Sequence, residues 1–487
     1  MATRDGFYLQ NDTGILQCGL KCAGGINPPT NISNKRVPLY DVIVIGAGYS
    51  DMMQGTDVLR SSGFNVLLLE GRDRIGGRTY TAEVDGHLYE MGGTWVHWNQ
   101  PHTYREMTRY GLTSLLTSHD KTVGVNHYTT YLDGKRQDIS HEKAHSMTEK
   151  AFRLLCDVDG RLGREVMPYP HDPHFNPKVK QWEEISVAQR LDQIRPDLTD
   201  DEATILQARL SSIYGTDMDK AGLFEVLRWW ALGGYTTDSL YETGDEFKIP
   251  TGQSSFARCF FGEALRTEHL SYSFNTAVKT IEDKGDQVLV NQTWEAKRLI
   301  CTVPLNVLEH IRFESALSPT KTVAMRLRNI NHGAKFHFEV WGTALRSWAS
   351  TCFPVTRSCS AFGDGLTPRG NTHVVSFGSN KRFSTPEKDA RSYIADCKKL
   401  HDMDVEKTIW HNWSTDPFSQ GSWCMFPPGF NFDDLAALRN LEGNILFANS
   451  DWALGWRGFI DGAIERGGLA AKKILDDICP SNVVPKI

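Results

Sequence analysis

Asp41-Val42-Ile43-Val44-Ile45-Gly46-Ala47-Gly48-Tyr49-Ser50 is an apolar run ending in two glycines, and its reading decides the fold. A helical stretch then leads to Ser61-Ser62-Gly63 and into Val66-Leu67-Leu68-Leu69-Glu70, a second apolar run closed by an acid. Strand, glycine turn, helix, strand and terminal acid make the βαβ pattern that holds a dinucleotide. The glycines allow a tight turn and a close approach of pyrophosphate to backbone N–H groups at a helix N-terminus. Glu70 sits where a carboxylate accepts hydrogen bonds from ribose hydroxyls; it disfavours a 2′-phosphate and so argues against NADP. Asp51 occupies the place of the third glycine in this pattern.

Just beyond lies Arg72-Asp73-Arg74-Ile75-Gly76-Gly77-Arg78, and then Glu90-Met91-Gly92-Gly93-Thr94-Trp95. The adjacent glycines permit a second close backbone approach, and the flanking arginines offer charge-assisted bonds to phosphate.

The chain of 487 residues is long enough for two or more domains around a large core. With 40% hydrophobic and 23% charged residues it has a globular composition. A net charge of −6 argues against nucleic-acid or anionic-membrane partners, which need a basic face. No apolar run approaches the roughly 18 residues of a membrane-spanning helix. The N-terminus lacks the apolar core of a secretory signal, which predicts an intracellular, cytoplasmic protein. Pro485-Lys486-Ile487 loosely resembles a peroxisomal tripeptide. The ten cysteines include no CxxC pair, which predicts reduced thiols and no metal site.

Residues 1–37 are polar and contain Pro28-Pro29, which predicts an irregular leader lying over the surface. Apolar spacing of three and four predicts helices at Glu142–Asp157, Leu223–Leu232 and Gly462–Asp477. Strands are expected at Val278–Glu282, Gln287–Asn291, Arg298–Pro304, His373–Gly378 and Asn444–Asn449. Lys335–Trp341 is expected as an antiparallel strand with Phe336, Phe338 and Val340 alternating along it. The fold class is α/β: a Rossmann-like dinucleotide-binding domain interleaved with an α+β substrate domain of antiparallel sheet and helices. The first is assembled from 38–115, 245–315 and 415–480, the second from 116–244 and 316–414.

Glu70-x-Arg72-x-Arg74-x-Gly76-Gly77-Arg78 with Gly92-Gly93-Thr94-Trp95 resembles the flavin-dependent amine oxidases. The resemblance extends to Trp413-Ser414-Thr415-Asp416, to Gly421-Ser422-Trp423 and to the stretch Asn449–Ala463, where it is nearest to the fungal monoamine oxidases. It implies an amine-oxidase type of fold and FAD as cofactor. By that analogy FAD lies on Gly46, Gly48, Tyr49, Ser50 and Glu70, then on Arg72, Gly77, Arg78, Gly93 and Thr94. Val278 would hold the adenine edge through its backbone, and Asp451 and Ile460 would complete the site. Gly458–Ile460 would lie beside the flavin ring, where a helix N-terminus stabilises the anionic reduced form.

Lys335 matches the family's lysine that holds a water against the flavin. Trp423 and Phe459 match the two aromatics that flank the substrate amine, and Trp95, His97, Trp98, Trp229 and Trp230 are further pocket candidates. Mammalian relatives attach flavin through a cysteine just before the first aromatic; Ser422 stands there, so non-covalent FAD is expected. The implied reaction is oxidation of a neutral primary or secondary amine to an imine, with O2 reduced to hydrogen peroxide. A homodimer is left open. Two alternatives stand beside this reading. One is an oxidase of a polyamine or a secondary-metabolite amine. The other is a flavin-fold scaffold whose FAD binding Asp51 impairs by crowding the strand–helix contact and repelling pyrophosphate.

Overall fold

The structure, a computed structural model, describes residues 1–32, 39–52, 63–118, 127–354, 356, 358–379 and 386–478. Most of the helix expected in the first βαβ unit, with Ser61 and Ser62, and the terminal Pro485-Lys486-Ile487 lie outside these residues. Two large sheets carry the architecture.

The first sheet has the strand order Leu270–Ser273, Val66–Leu69, Tyr40–Ile45, Trp294–Cys301, Val288–Val290, Thr280–Asp283, Arg312–Phe313. Its four central pairings are parallel, including Ile445–Phe447 against Trp294–Cys301. Parallel strands are covered on both faces, which explains their continuous apolar runs. Val42 and Val44 pack with Phe256 and Phe260 of the helix Gln253–Leu265 and with Ile464 and Ile474 of the closing helix Ile460–Ile478. Ile43 and Ile45 point the opposite way, into a second core with Leu435 and Leu438 of the helix Phe432–Arg439. The period-two alternation of one strand thus feeds two cores.

The second sheet runs Lys135–Ile139, Tyr128–Leu132, Ala349–Thr351, Ser358–Leu366, Thr372–Ser379, Gly333–Val340, Val405–Trp410, Phe7–Gln10, Leu16–Cys18. The last two strands correct the expectation of an irregular leader. Phe7–Gln10 pairs antiparallel with Val405–Trp410, and Phe7 stacks on Trp410 at 5.4 Å between ring centroids. Leu16–Cys18 pairs with the other side of Phe7–Gln10 and forms the exposed edge, where polar residues do not prevent a strand from adding to a sheet.

All eight residues of Gly333–Val340 are buried. Phe336, Phe338 and Val340 enter an apolar core with Tyr393 and Trp410, while Lys335, His337 and Glu339 face the other way. Over the sheet lies a helical layer. Its helix Asp200–Tyr214 opens on a capping box of Thr199 and Glu202 and closes on Gly215 at φ +56°. The helices His141–Cys156 and Leu223–Leu232 share its core through Phe152, Leu210 and Trp230.

Candidate active site

A cavity of about 640 Å³ runs from the βαβ turn to the face of the antiparallel sheet. At its first end Gly46 has φ +118° and donates from its N–H to Leu69 O at 2.8 Å. The Glu70 carboxylate accepts from Ala47 N–H at 2.7 Å and from Arg72 N–H at 2.8 Å, closing the turn on the second strand. A Cβ built on Gly77 would stand 3.2 Å from Gly48 Cα, so the two glycine turns meet with bare backbone facing the cavity. Ala277 and Val278 line the same end.

Tyr49 and Ser50 line the cavity, but their polar side-chain groups are engaged elsewhere. The Tyr49 hydroxyl lies 2.9 Å from Gln253 O, and the Ser50 hydroxyl donates to Ala463 O at 2.7 Å. Asp51 is buried, with Oδ2 accepting from Gly48 N–H at 2.7 Å and Oδ1 against the Thr302 hydroxyl. Burial pushes its carboxyl well above the usual range; the Thr302 contact opposes that shift and nearby Glu70 adds to it.

The arginines of the Gly-Gly-Arg segment are held by protein partners. Both terminal nitrogens of Arg72 bond the Asp416 carboxylate at 2.6 Å, and Nη1 also reaches Asp5 at 3.0 Å. Arg74 is fully buried, bonded to Asp5 and to the carbonyls of Gly77 and Thr79. Arg78 spans to the C-terminal motif: it donates to Ser422 O at 2.9 Å, to Asn449 and Ser450 at 3.0 Å, and to Asp451 at 2.5 Å. The other oxygen of Asp451 accepts from Leu305 N–H at 3.1 Å. These fixed cations shape the cavity wall through carboxylate pairs.

At the far end Lys335 donates to Thr94 Oγ1 at 2.5 Å and to Gly92 O at 3.3 Å, with Nζ 4.6 Å from the Trp95 ring centroid. Burial lowers its pKa to about 7, against the pull of Glu90 and Asp364. Trp423 is fixed by its indole N–H, which donates to Ile213 O at 2.9 Å, and Phe377 lies edge-on at 6.2 Å. Ile213 is in the last turn of its helix, where carbonyls lack intrahelical partners. Phe459 stands between Trp229 and Trp456, each 5.0 Å from it. Gly458 has φ +83°, and a Cβ there would lie 2.9 Å from Cys424 N. The helix opening at Ile460 follows at once, and Ile460 lines the cavity.

Lys335, Trp423 and Phe459 therefore meet in one cavity with the βαβ turn. Trp95 and Trp229 share it, while Trp98 is exposed against His97, and Trp230 is a core residue bonded to Leu162 O. Arg209, Tyr241 and Phe377 also line the cavity. Sequence reasoning missed them because a lone arginine, tyrosine or phenylalanine carries no motif. Ser422 bonds Asn331 Oδ1 at 2.7 Å, and Cys424 is buried with Sγ 3.7 Å from Asp451 O, outside the cavity lining.

The arrangement fits a flavin dinucleotide, with a glycine-lined cradle, an acid at a strand end and an aromatic chamber beside a helix N-terminus. The family model of flavin containing amine oxidoreductase matches residues 57–475. The chain is 30% identical over 438 residues to pseudooxynicotine dehydrogenase of a Pseudomonas species, covering 88% of this chain and 84% of that one. It is 30% identical over 498 residues to nicotine dehydrogenase of Pseudomonas putida, covering 97% and 98%. Among solved structures, cyclohexylamine oxidase from Brevibacterium oxydans aligns with a TM-score of 0.73 at 18% identity, over 91% of this chain and all of that one.

Proposed function

The chain belongs to the flavin containing amine oxidoreductase family, and from that premise we propose a particular reaction: FAD-dependent oxidation of a small primary or secondary amine to its imine. The observation that carries it is the convergence of Lys335, Trp423 and Phe459 at one end of the cavity that starts at the βαβ turn. FAD held in this cavity would supply a two-electron acceptor for the hydride lost from the amine α-carbon, the electrons going on to O2 to give hydrogen peroxide.

The chain's own residues do the rest. Trp423, Phe459 and Trp229 form an apolar slot that desolvates the amine and favours its neutral form, whose lone pair drives loss of the α-hydrogen. Lys335, with a pKa near 7 and a bond to Thr94, holds a proton or an ordered water beside the reacting carbon. The helix start at Ile460 presents a positive dipole end to charge developing at the aromatic chamber. Non-covalent attachment is supported by Ser422 before Trp423 and by Cys424 turned away behind it. The imine then leaves to hydrolyse in water to a carbonyl product. The protein acts intracellularly in this reading.

The names of two relatives, both dehydrogenases, favour a second reading in which an acceptor other than O2 takes the electrons. The test is an absorbance spectrum of the FAD-loaded protein during anaerobic addition of benzylamine and alkylamines, followed by air. Bleaching and re-oxidation with one hydrogen peroxide per amine is expected. Bands that persist with every amine overturn the reaction, and bleaching without re-oxidation in air overturns the role of O2.

A further inference from the structure

Behind the wall that Trp456, Gly458 and Phe459 give the cavity lies a buried cluster of charges. Glu225 and Arg228 stand one turn apart on the helix Leu223–Leu232, and Arg457 lies in the turn before the closing helix. One carboxylate oxygen of Glu225 accepts from Arg228 at 3.0 Å and the other accepts from Arg457. Both guanidinium groups are fully enclosed. Burial lowers the pKa of Arg228 to about 10, against the pull of Glu225, so it stays charged at neutral pH. Burial would raise the Glu225 pKa, but Arg457 and Arg228 hold it below the usual carboxylate range. Two cations thus share one anion, and the cluster keeps one positive charge in excess.

That excess is carried by under-bonded groups. Arg228 Nε and Arg457 Nε and Nη1 have no hydrogen-bond partner among the described residues. Arg457 instead lies over the rings of Phe426 and Phe430, 5.1 and 5.7 Å from their centroids. Packing alone would be served better by an apolar side chain, since a buried donor without an acceptor costs stability. The other charges around the turn do not cancel the excess. Asp451 is paired with Arg78. Glu465 accepts from the N–H groups of Leu454 and Gly455 at 3.1 and 3.2 Å and has Arg439 and Arg466 as charged neighbours. Asp461, pushed up to about 7 by burial, is only partly ionised at neutral pH.

Each arginine is next in sequence to residues of the chamber. Arg457 stands between Trp456 and Gly458, which line it, and Arg228 precedes Trp229, which packs on Phe459 at 5.0 Å. Arg228 also donates to Gly455 O at 2.7 Å and to Arg457 O at 3.4 Å, fixing the turn that carries Trp456 and Phe459. The charge therefore sits one layer behind the aromatic end of the cavity, in a buried setting where screening is weak. We propose that the unpaired positive charge of the Arg228–Glu225–Arg457 triad raises the reduction potential of the flavin held in this cavity. This rests on the reading that FAD occupies it. Hydride transfer carries two electrons and one proton from the amine α-carbon to the flavin, so the neutral amine becomes an iminium cation and the flavin gains one negative charge. A fixed cation behind the chamber stabilises that added charge.

The test is the two-electron midpoint potential of the FAD-loaded protein, measured anaerobically against a reference dye with no amine present. Arg457→Met and Arg228→Met each remove one cation and leave Glu225 paired with the other. Each is expected to weaken reduction about tenfold in the equilibrium constant, a downward shift of ~30 mV. Glu225→Gln removes the anion and should shift the potential upward. Arg457→Lys keeps the charge and should stay near the natural value. Loosened packing would move the Met and Gln variants the same way, so opposite signs separate charge from structure. If Glu225→Gln does not fold, the pair Arg457→Met and Arg457→Lys decides alone. An unchanged potential in Arg457→Met, equal values in Arg457→Met and Arg457→Lys, or a downward shift in Glu225→Gln overturns this inference and leaves the amine reading standing. A protein that takes up no FAD overturns both.

Discussion

The carboxyl of Asp51 accepts a hydrogen bond from the Gly48 backbone N–H at 2.7 Å, at the turn where a pyrophosphate would use that same N–H. Thr302 has one hydroxyl proton and two acceptors against it, Ile45 O at 2.8 Å and Asp51 Oδ1. Burial imposes an upward pKa shift on Asp51 that the Thr302 hydroxyl, shared with Ile45 O, only partly opposes. The acid therefore stays neutral to a higher pH than an ordinary carboxyl, and charge repulsion of pyrophosphate begins only as pH rises through that raised value. FAD affinity in the natural chain is expected to fall as pH rises through that raised value, and to stay flat in Asp51→Asn. Asp51→Gly should bind about tenfold tighter at the higher pH, one pKa-unit equivalent of interaction. Titration of apoprotein with FAD measures all three; a flat profile in the natural chain sinks the idea.

The N-terminal segment is fastened by charge as well as by strand pairing. Burial alone would raise the pKa of Asp5, but Arg74 and Arg72 hold it down to about 2. A lowered folded-state value makes Asp5 stabilising above the unfolded pKa near 4, with the benefit lost as pH falls toward 2. Asp5→Asn should therefore cost about 2 kcal/mol at pH 7, with the difference shrinking below pH 4. Urea melts of the two proteins at pH 7 and pH 3.5 check this. An equal difference at both values would show that hydrogen-bond geometry, rather than charge, makes the contact.

The parallel strands and the closing helix were readable because burial on two faces writes an apolar run and burial on one face writes a three-to-four spacing. Leu223–Leu232 is a helix over the residues its spacing indicates, and Gly333–Val340 shows the expected alternation. The Phe7–Gln10 strand was not readable, since one buried leucine and one stacked phenylalanine leave no periodic signal in four residues. The pairing of Arg72 with Asp416 was hidden for a different reason: the two lie 344 residues apart, and no local pattern reports a pairing at that range. Arg209 and Tyr241 were equally hidden, because they reach the cavity through helix packing. Lys335, Trp423 and Phe459 came from motif resemblance, and the cavity unites them.

Lys335 offers a pH signature. Burial lowers its pKa to about 7, so its charge is lost across neutral pH in the folded protein, whereas the unfolded lysine keeps its proton to about 10.5. The unfolded state binds more protons between those values, and stability rises with pH through that window on account of this group. Lys335→Met removes both effects. The pH profile of anaerobic flavin reduction should lose an ionisation near 7, and the rate should fall by one to two orders of magnitude, the range of a single proton-handling group. The melting temperature of Lys335→Met relative to the natural chain should be most favourable at pH 6 and less so at pH 9. A reduction profile that keeps its inflection near 7 in Lys335→Met assigns that ionisation to another group.

Arg78 joins the Gly-Gly-Arg segment to the loop that carries Trp423 and to the motif that precedes Phe459. Its guanidinium reaches Ser422 O, Asn449, Ser450 and Asp451, and Asp451 is almost completely enclosed while Arg78 retains some exposure. Replacing the arginine leaves the Asp451 carboxylate buried with the Leu305 N–H and a long contact from the Ser450 hydroxyl to stabilise its charge. An uncompensated buried charge costs about 3–5 kcal/mol, more than the pair itself is worth. Arg78→Met should therefore destabilise strongly, and Asp451→Asn should recover part of that loss when added to it. The two losses would then sum to more than the double variant shows. The same variants report on function through geometry: with Arg78 absent, Trp423 and the Ile460 helix start lose their common tether, so FAD retention on dilution should fall even where the protein remains folded. Denaturant midpoints of the four proteins in the cycle, set beside flavin retention, separate the two consequences. Strict additivity of the single losses would show that Arg78 and Asp451 act independently.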